Sequence, residues 1–231
     1  MVGQFLLDNL TIIAVIYGLS FFVIFFAVVL QRGQSANFEL VNTFLLLAGF
    51  GLLHGIGDIL FVVAHNFGGV QEHKQTVIQI ARYFLAGSFT FLYLFGLSVF
   101  LDKSKQKIKW SVFAAPVITL VFFVITTNPF DHIIETQVIY RLFLGFPSAM
   151  LASMALLKMS QRFRQLNLRG IVMDFRGAAL FFFLYGIFAG LFFVSYPNSI
   201  LVLGLPVQLL RAAAVIGIAF FTVRIMAVFK L

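Results

Sequence analysis

His54 and Asp58 lie four residues apart inside an apolar run long enough to cross a bilayer. At helical spacing both project from one face, and His65 falls on the same stripe. An imidazole and a carboxylate so placed can bind a polar ligand, share a proton or fix the register of a neighbouring helix. Gly51 and Gly55 lie beside them and let a second helix come close. An ionised aspartate facing lipid costs about 2.5 kcal/mol or more, so Asp58 must face protein or a water-filled cavity. Three further apolar runs each carry one arginine: Arg82, Arg141 and Arg211. Polar or small residues share the face of each. Gln75 and Gln79 align with Arg82, Gln137, Gly145, Ser148 and Ala152 with Arg141, and Gln208 with Arg211.

The elements that must position these groups follow from composition. The chain is 61% hydrophobic and 10% charged, with Phe contributing 32 of 231 residues and a mean hydropathy of +1.05. Soluble domains are nearer 25% charged, so the composition describes an integral membrane protein. Apolar runs over residues 11–30, 41–63, 78–101, 112–126, 138–157, 178–194 and 200–229 predict an all-α bundle of seven transmembrane helices in one domain. Pro147 falls inside the fifth run and Pro206 near the start of the seventh. The first run is too long for a signal-peptide core and lacks a basic flank, so it is expected to remain as a span.

Charge gives the orientation. With the N-terminus outside, the inner segments hold Arg32, Lys103, Lys105, Lys107, Lys109, Lys158, Arg162, Arg164, Arg169, Arg176, Arg224 and Lys230, whereas the outer ones hold only Lys74. This asymmetry predicts a cytoplasmic C-terminus. The net charge of +8 is therefore a topology signal, matched to anionic lipid head groups and not to nucleic acid. At about 1.5 Å per residue, the intramembrane charges fall in the outer half of the bilayer. The expected ligand-binding layer is His54, Asp58, Arg82, Arg141, Gln208 and Arg211.

That layer also has purely structural readings. Arg141 can snorkel to the outer surface. Asp58 can pair with Arg82 or Arg211 to fix helix register. Three arginines against one aspartate still leave surplus positive charge, which calls for an anion, water or a partner. Other chemistries are poorly served. With no cysteine there is no disulfide, thiolate metal site or thiol nucleophile. A bis-histidine haem needs ligands from facing helices, and only His54 is deep; His65 shares its face, and His73 and His132 fall in outer loops. No span carries a lysine for a retinal Schiff base. No metal cluster, phosphate loop or nucleophile–base pair is apparent, so no enzyme is expected.

Three stretches carry a family resemblance. Tyr17-Gly18-Leu19-Ser20-Phe21-Phe22, running on through Ala27-Val28-Val29-Leu30-Gln31-Arg32, resembles the first span of a bacterial seven-helix sensor module. Phe50-Gly51-Leu52-Leu53-His54-Gly55 with a following acidic residue is similar to its second-span motif, although Asp58 is followed by Ile59 where the pattern has Trp. Arg211 onward to Arg224-Ile225-Met226-Ala227-Val228-Phe229 resembles the last span and exit helix. Such modules head the membrane-bound sensor histidine kinases and diguanylate cyclases. The resemblance implies a sensor of the inner membrane, in a two-component or related system, acting through a downstream domain or protein partner. The rival expectation is an accessory subunit of a membrane redox complex, which leaves a quinone or haem open. A solute transporter is a third, disfavoured by the lack of an internal repeat.

Overall fold

The computed structural model describes residues 9–32, 39–66, 71–100, 140–192, 201–202 and 205–228. Among these, six helices are long and apolar enough to cross a membrane. They are α1 (Leu10–Arg32), α2 (Glu39–Asn66), α3 (Gln71–Phe100), α4 (Phe146–Gln165), α5 (Arg169–Tyr185) and α6 (Val207–Val228). The chain is thus a multi-pass helical membrane protein by length and composition. The expected span at 112–126 and the companion Gln137 lie outside the described residues.

Each helix packs on its sequence neighbour, and α6 returns to pack on α1, closing a ring. α1 shows why the ring suits lipid. Its exposed residues Ile12, Ile16, Leu19, Val23, Phe26 and Leu30 alternate steps of four and three, while Phe21, Ile24 and Val28 are buried. One apolar stripe faces outward and another faces the core, which marks a helix with no aqueous side.

Direction follows from the contacts. The Gly51 face of α2 sits so close to α1 that a Cβ there would stand 2.7 Å from the Phe21 carbonyl oxygen, and one on Gly55 would meet the Gly18 oxygen at 3.1 Å. These two glycines do set a close antiparallel approach. α4 and α5 are also antiparallel, joined by a tight turn. There Asn167 adopts φ 57°, Leu168 N donates to Phe163 O at 3.3 Å and Asn167 N to Arg164 O at 3.0 Å. This is a Schellman closure with asparagine at the left-handed position.

α3 and α4 are different: they run parallel. Phe89 packs on Tyr140, Gly96 abuts Leu151 and Ala152, and Lys158 Nζ donates to Val99 O at 3.1 Å while lying over the Phe100 ring. Lys158 thereby caps the C-terminal carbonyls of α3. α1 and α6 are parallel too, since Leu10 and Ile13 cluster with Leu209 and Ala212. One end of the bundle holds Lys158, Arg162, Arg164, Arg169, Arg176 and Arg224; the opposite end, where α1 begins, holds Lys74.

Three boundaries differ from expectation. α5 begins at Arg169, nine residues before the apolar run, because Asp174 is held at 2.7 Å by Arg224 of α6 and can stay helical though buried. α3 likewise begins at Gln71. Pro206 lies outside the last helix, in a two-residue strand (Leu205–Pro206) paired antiparallel with Leu201–Val202 immediately before α6. Pro147 is in the first turn of α4, where a missing N–H is harmless.

Candidate functional site

Two departures from α-helical geometry build the site. A π-helical turn, Arg141–Gly145, leads into α4, and a second, Gly186–Leu191, ends α5. The two turns pack on one another. A π turn and a helix end both release backbone carbonyls from the i→i+4 ladder, and such distortions recur at functional sites. Here the freed carbonyls have charged donors. Arg211 Nε donates to Phe188 O at 2.7 Å, and its Nη2 donates to Phe192 O. Arg141 Nη1 donates to Ala189 O at 3.3 Å. The negative end of the α5 dipole adds to their stabilisation. Two of the three arginines are thus held by backbone, so the surplus positive charge expected from composition is largely met without an anion. Arg141 turns into the bundle and does not snorkel outward.

His54 occupies the centre. Ser88 Oγ donates to Leu85 O at 2.6 Å, which uses its one proton. The 2.7 Å contact between Ser88 Oγ and His54 Nδ1 therefore requires Nδ1 to donate. Nε2 of the neutral ring is then an acceptor and takes the Tyr185 hydroxyl proton at 3.0 Å. Tyr17 and Tyr185 hydrogen-bond side chain to side chain, and with the Tyr185 proton committed, Tyr17 is the donor. The result is a directed chain: Tyr17 to Tyr185 to His54 to Ser88 to Leu85 O.

An aromatic shell surrounds it. The imidazole centroid lies 4.2 Å from Phe21, 5.2 Å from Phe50 and 5.1 Å from Phe89. His54, Ser88 and Tyr185 are all buried, and at low local dielectric each hydrogen bond in the chain is strong and each missing one is costly.

Asp58 is where the chain fails to close. Its Oδ2 stands 3.6 Å from His54 Nε2, beyond hydrogen-bond distance. With Nε2 already accepting from Tyr185, two acceptors face one another, and Oδ2 has no hydrogen-bond donor. Asp58 makes no ion pair with Arg82 or Arg211, contrary to the register-pairing expectation. It is within electrostatic reach of Arg141 and Arg211. Arg141 in turn has a buried Nε without an acceptor. The centre thus contains an unmet acceptor and an unmet donor of opposite charge.

The expected layer is therefore brought together in part. His54, Asp58, Arg141 and Arg211 converge, and Gln208 is buried one turn before Arg211 on α6. Arg82 does not join them. It is buried on α3, donates from Nη1 to Gln79 Oε1 at 3.2 Å, and has Tyr140 and Tyr83, not Asp58, as its electrostatic neighbours. Gln79 was correctly aligned with it by spacing. Tyr17, Ser88 and Tyr185 were missed. A tyrosine deep in an apolar run is the available signal, because its hydroxyl needs a partner there.

Among the described residues no group of three or more His, Cys, Asp or Glu is placed to hold a metal. No family model, curated protein or solved structure matches the chain.

Proposed function

We propose that the chain is a sensory, signal-transducing module of a bacterial inner membrane, whose polar ligand binds between Asp58 and Arg141. The observation carrying this reading is that every described helix supplies a group to one centre: Tyr17 from α1, His54 and Asp58 from α2, Ser88 from α3, Arg141 from the turn leading into α4, Tyr185 from α5 and Arg211 from α6. A ligand there touches the packing of the whole ring. It must offer a donor to Asp58 Oδ2 and an acceptor to Arg141 Nε, which describes a hydroxylated or zwitterionic small molecule. To signal, it must bind two packings of the ring unequally, about tenfold for each 1.4 kcal/mol of bias. α6 carries the bias from Arg211 to the basic end at Arg224.

The seven-span, N-outside arrangement belongs to the same proposal. It is supported by α3 and α4, which follow one another among the described helices and yet run parallel. The gathering of basic residues at one end supports the orientation. A haem-binding redox subunit fits less well, because both His54 ring nitrogens are engaged. A quinol, with a hydroxyl that both donates and accepts, is the form of that rival which the geometry tolerates.

The test is a fusion of the chain to a cyclase output domain, assayed in membranes at equal protein abundance. Asp58→Asn, Arg141→Lys and His54→Gln are each expected to change cyclase output several-fold. Unchanged output in all three would overturn the sensor, and a Soret band in the purified chain would favour the redox subunit.

A further inference from the structure

We propose that Arg82 forms a second anion site, separate from the His54 centre, which takes a carboxylate or phosphate group on the free edge of its guanidinium. Arg82 is 2% exposed, yet its Nε and Nη2 have no hydrogen-bond partner. These two nitrogens share one edge of the guanidinium plane, and their N–H bonds point the same way. That edge is the fork which meets two oxygens of a carboxylate or phosphate side by side. The other edge is fixed, because Nη1 donates to Gln79 Oε1 at 3.2 Å.

Arg141 and Arg211 are supplied with backbone carbonyls by the π-helical end of α5. Arg82 sits mid-helix in α3, where the carbonyls are committed to the ladder, and no aspartate or glutamate pairs with it among the described residues. A buried cation with two adjacent unmet donors is among the most costly arrangements a protein can hold. An anion on that edge satisfies both donors and the charge together. Gln79, with its Oε1 on Nη1, keeps its amide NH2 as a further donor. Arg82 is not an electrostatic neighbour of Asp58 whereas Arg141 and Arg211 are, so this edge is a site distinct from the central one, with Tyr140 as a neighbour of both Arg82 and Arg141.

The same chemistry is offered by an anionic phospholipid head group and by a soluble anion, and one experiment separates them. The full chain is placed in phosphatidylcholine nanodiscs and its melting temperature is measured in chloride, inorganic phosphate and acetate at equal ionic strength. The measurement is repeated in discs containing phosphatidylglycerol. A saturable rise with phosphate or acetate identifies a soluble anion; a rise only with phosphatidylglycerol identifies a head group. In either case Arg82→Lys, which keeps the charge and loses the fork, should weaken the half-saturation at least tenfold, and Arg82→Gln should abolish it. If Arg82→Gln does not fold, the Arg82→Lys comparison and the 15N shift of Arg82 Nε on anion addition decide the matter. The proposal is overturned if no anion produces a rise, or if the rise is the same in the variants.

Discussion

A single commitment orders the centre: Ser88 has one proton and gives it to Leu85 O. From this the tautomer of His54, the donor role of Tyr185 and the isolation of Asp58 Oδ2 all follow. Tyr185→Phe removes the donor to Nε2 and the acceptor for Tyr17 in a buried aromatic shell. It should lower stability by about 1–3 kcal/mol, read as the shift in thermal unfolding of the purified chain. His54 and Asp58 were legible because an ionisable group in an apolar run is expensive anywhere but inside a bundle. Their partners were not legible. Tyrosine and serine are tolerated on any face of a membrane helix, and nothing in their spacing says that Tyr17, Ser88 and Tyr185 converge. The fate of Arg141 and Arg211 was hidden for a different reason: their acceptors are carbonyls that exist as free groups only because α5 ends in a π turn.

Close approach and end-capping govern the helices. A methyl group on Gly51 would press on the backbone oxygen of Phe21, which cannot move aside, whereas one on Gly87 would meet only Leu53 Cδ1 at 3.4 Å. Gly51→Ala should therefore destabilise the fold by about 1–3 kcal/mol, whereas Gly87→Ala should be neutral or stabilising by up to about 1 kcal/mol, measured side by side by thermal unfolding. At the basic end, Asp174 is buried while Arg224 is half exposed. Arg224→Gln should cost about 1–3 kcal/mol, between the values for surface and fully buried pairs, and Asp174→Asn in the same chain should recover part of it. Apolar periodicity located the described helices well. The start of α5 was misplaced because Asp174 has its partner on another helix, and hydropathy along one segment carries no information about its neighbours.

The arrangement of the ring and the distribution of charge belong together. α1 and α6 run parallel, α3 and α4 run parallel, and of the basic residues outside the buried Arg82, Arg141 and Arg211, all those placed but Lys74 gather at one end. The proposed orientation makes a prediction suited to a chain without cysteine. A cysteine replacing exposed His73 should react with a membrane-impermeant maleimide in intact spheroplasts, and one replacing exposed Arg164 only after permeabilisation. The reverse pattern would invert the protein. Convergence of the ionisable groups was the weightiest expectation from the sequence; neutral His54 and the charged Asp58, Arg141 and Arg211 come together while Arg82 stands apart. No one-dimensional depth estimate could make that distinction, because depth does not say which neighbours a side chain meets, and Arg82 meets Gln79, Tyr83 and Tyr140.

The polar centre is one connected unit, and a double-mutant cycle between its two ends is the most direct measurement of it. Tyr17 on α1 and Ser88 on α3 meet at His54: Tyr17 reaches the ring through Tyr185 and by a direct edge-on contact, and Ser88 holds the other ring nitrogen. Unfolding free energies of Tyr17→Phe, Ser88→Ala and the double variant should be non-additive by about 0.5 kcal/mol or more, as expected within one hydrogen-bond network. Additivity to within about 0.3 kcal/mol would mean that the two residues act independently and that the centre is not a single unit.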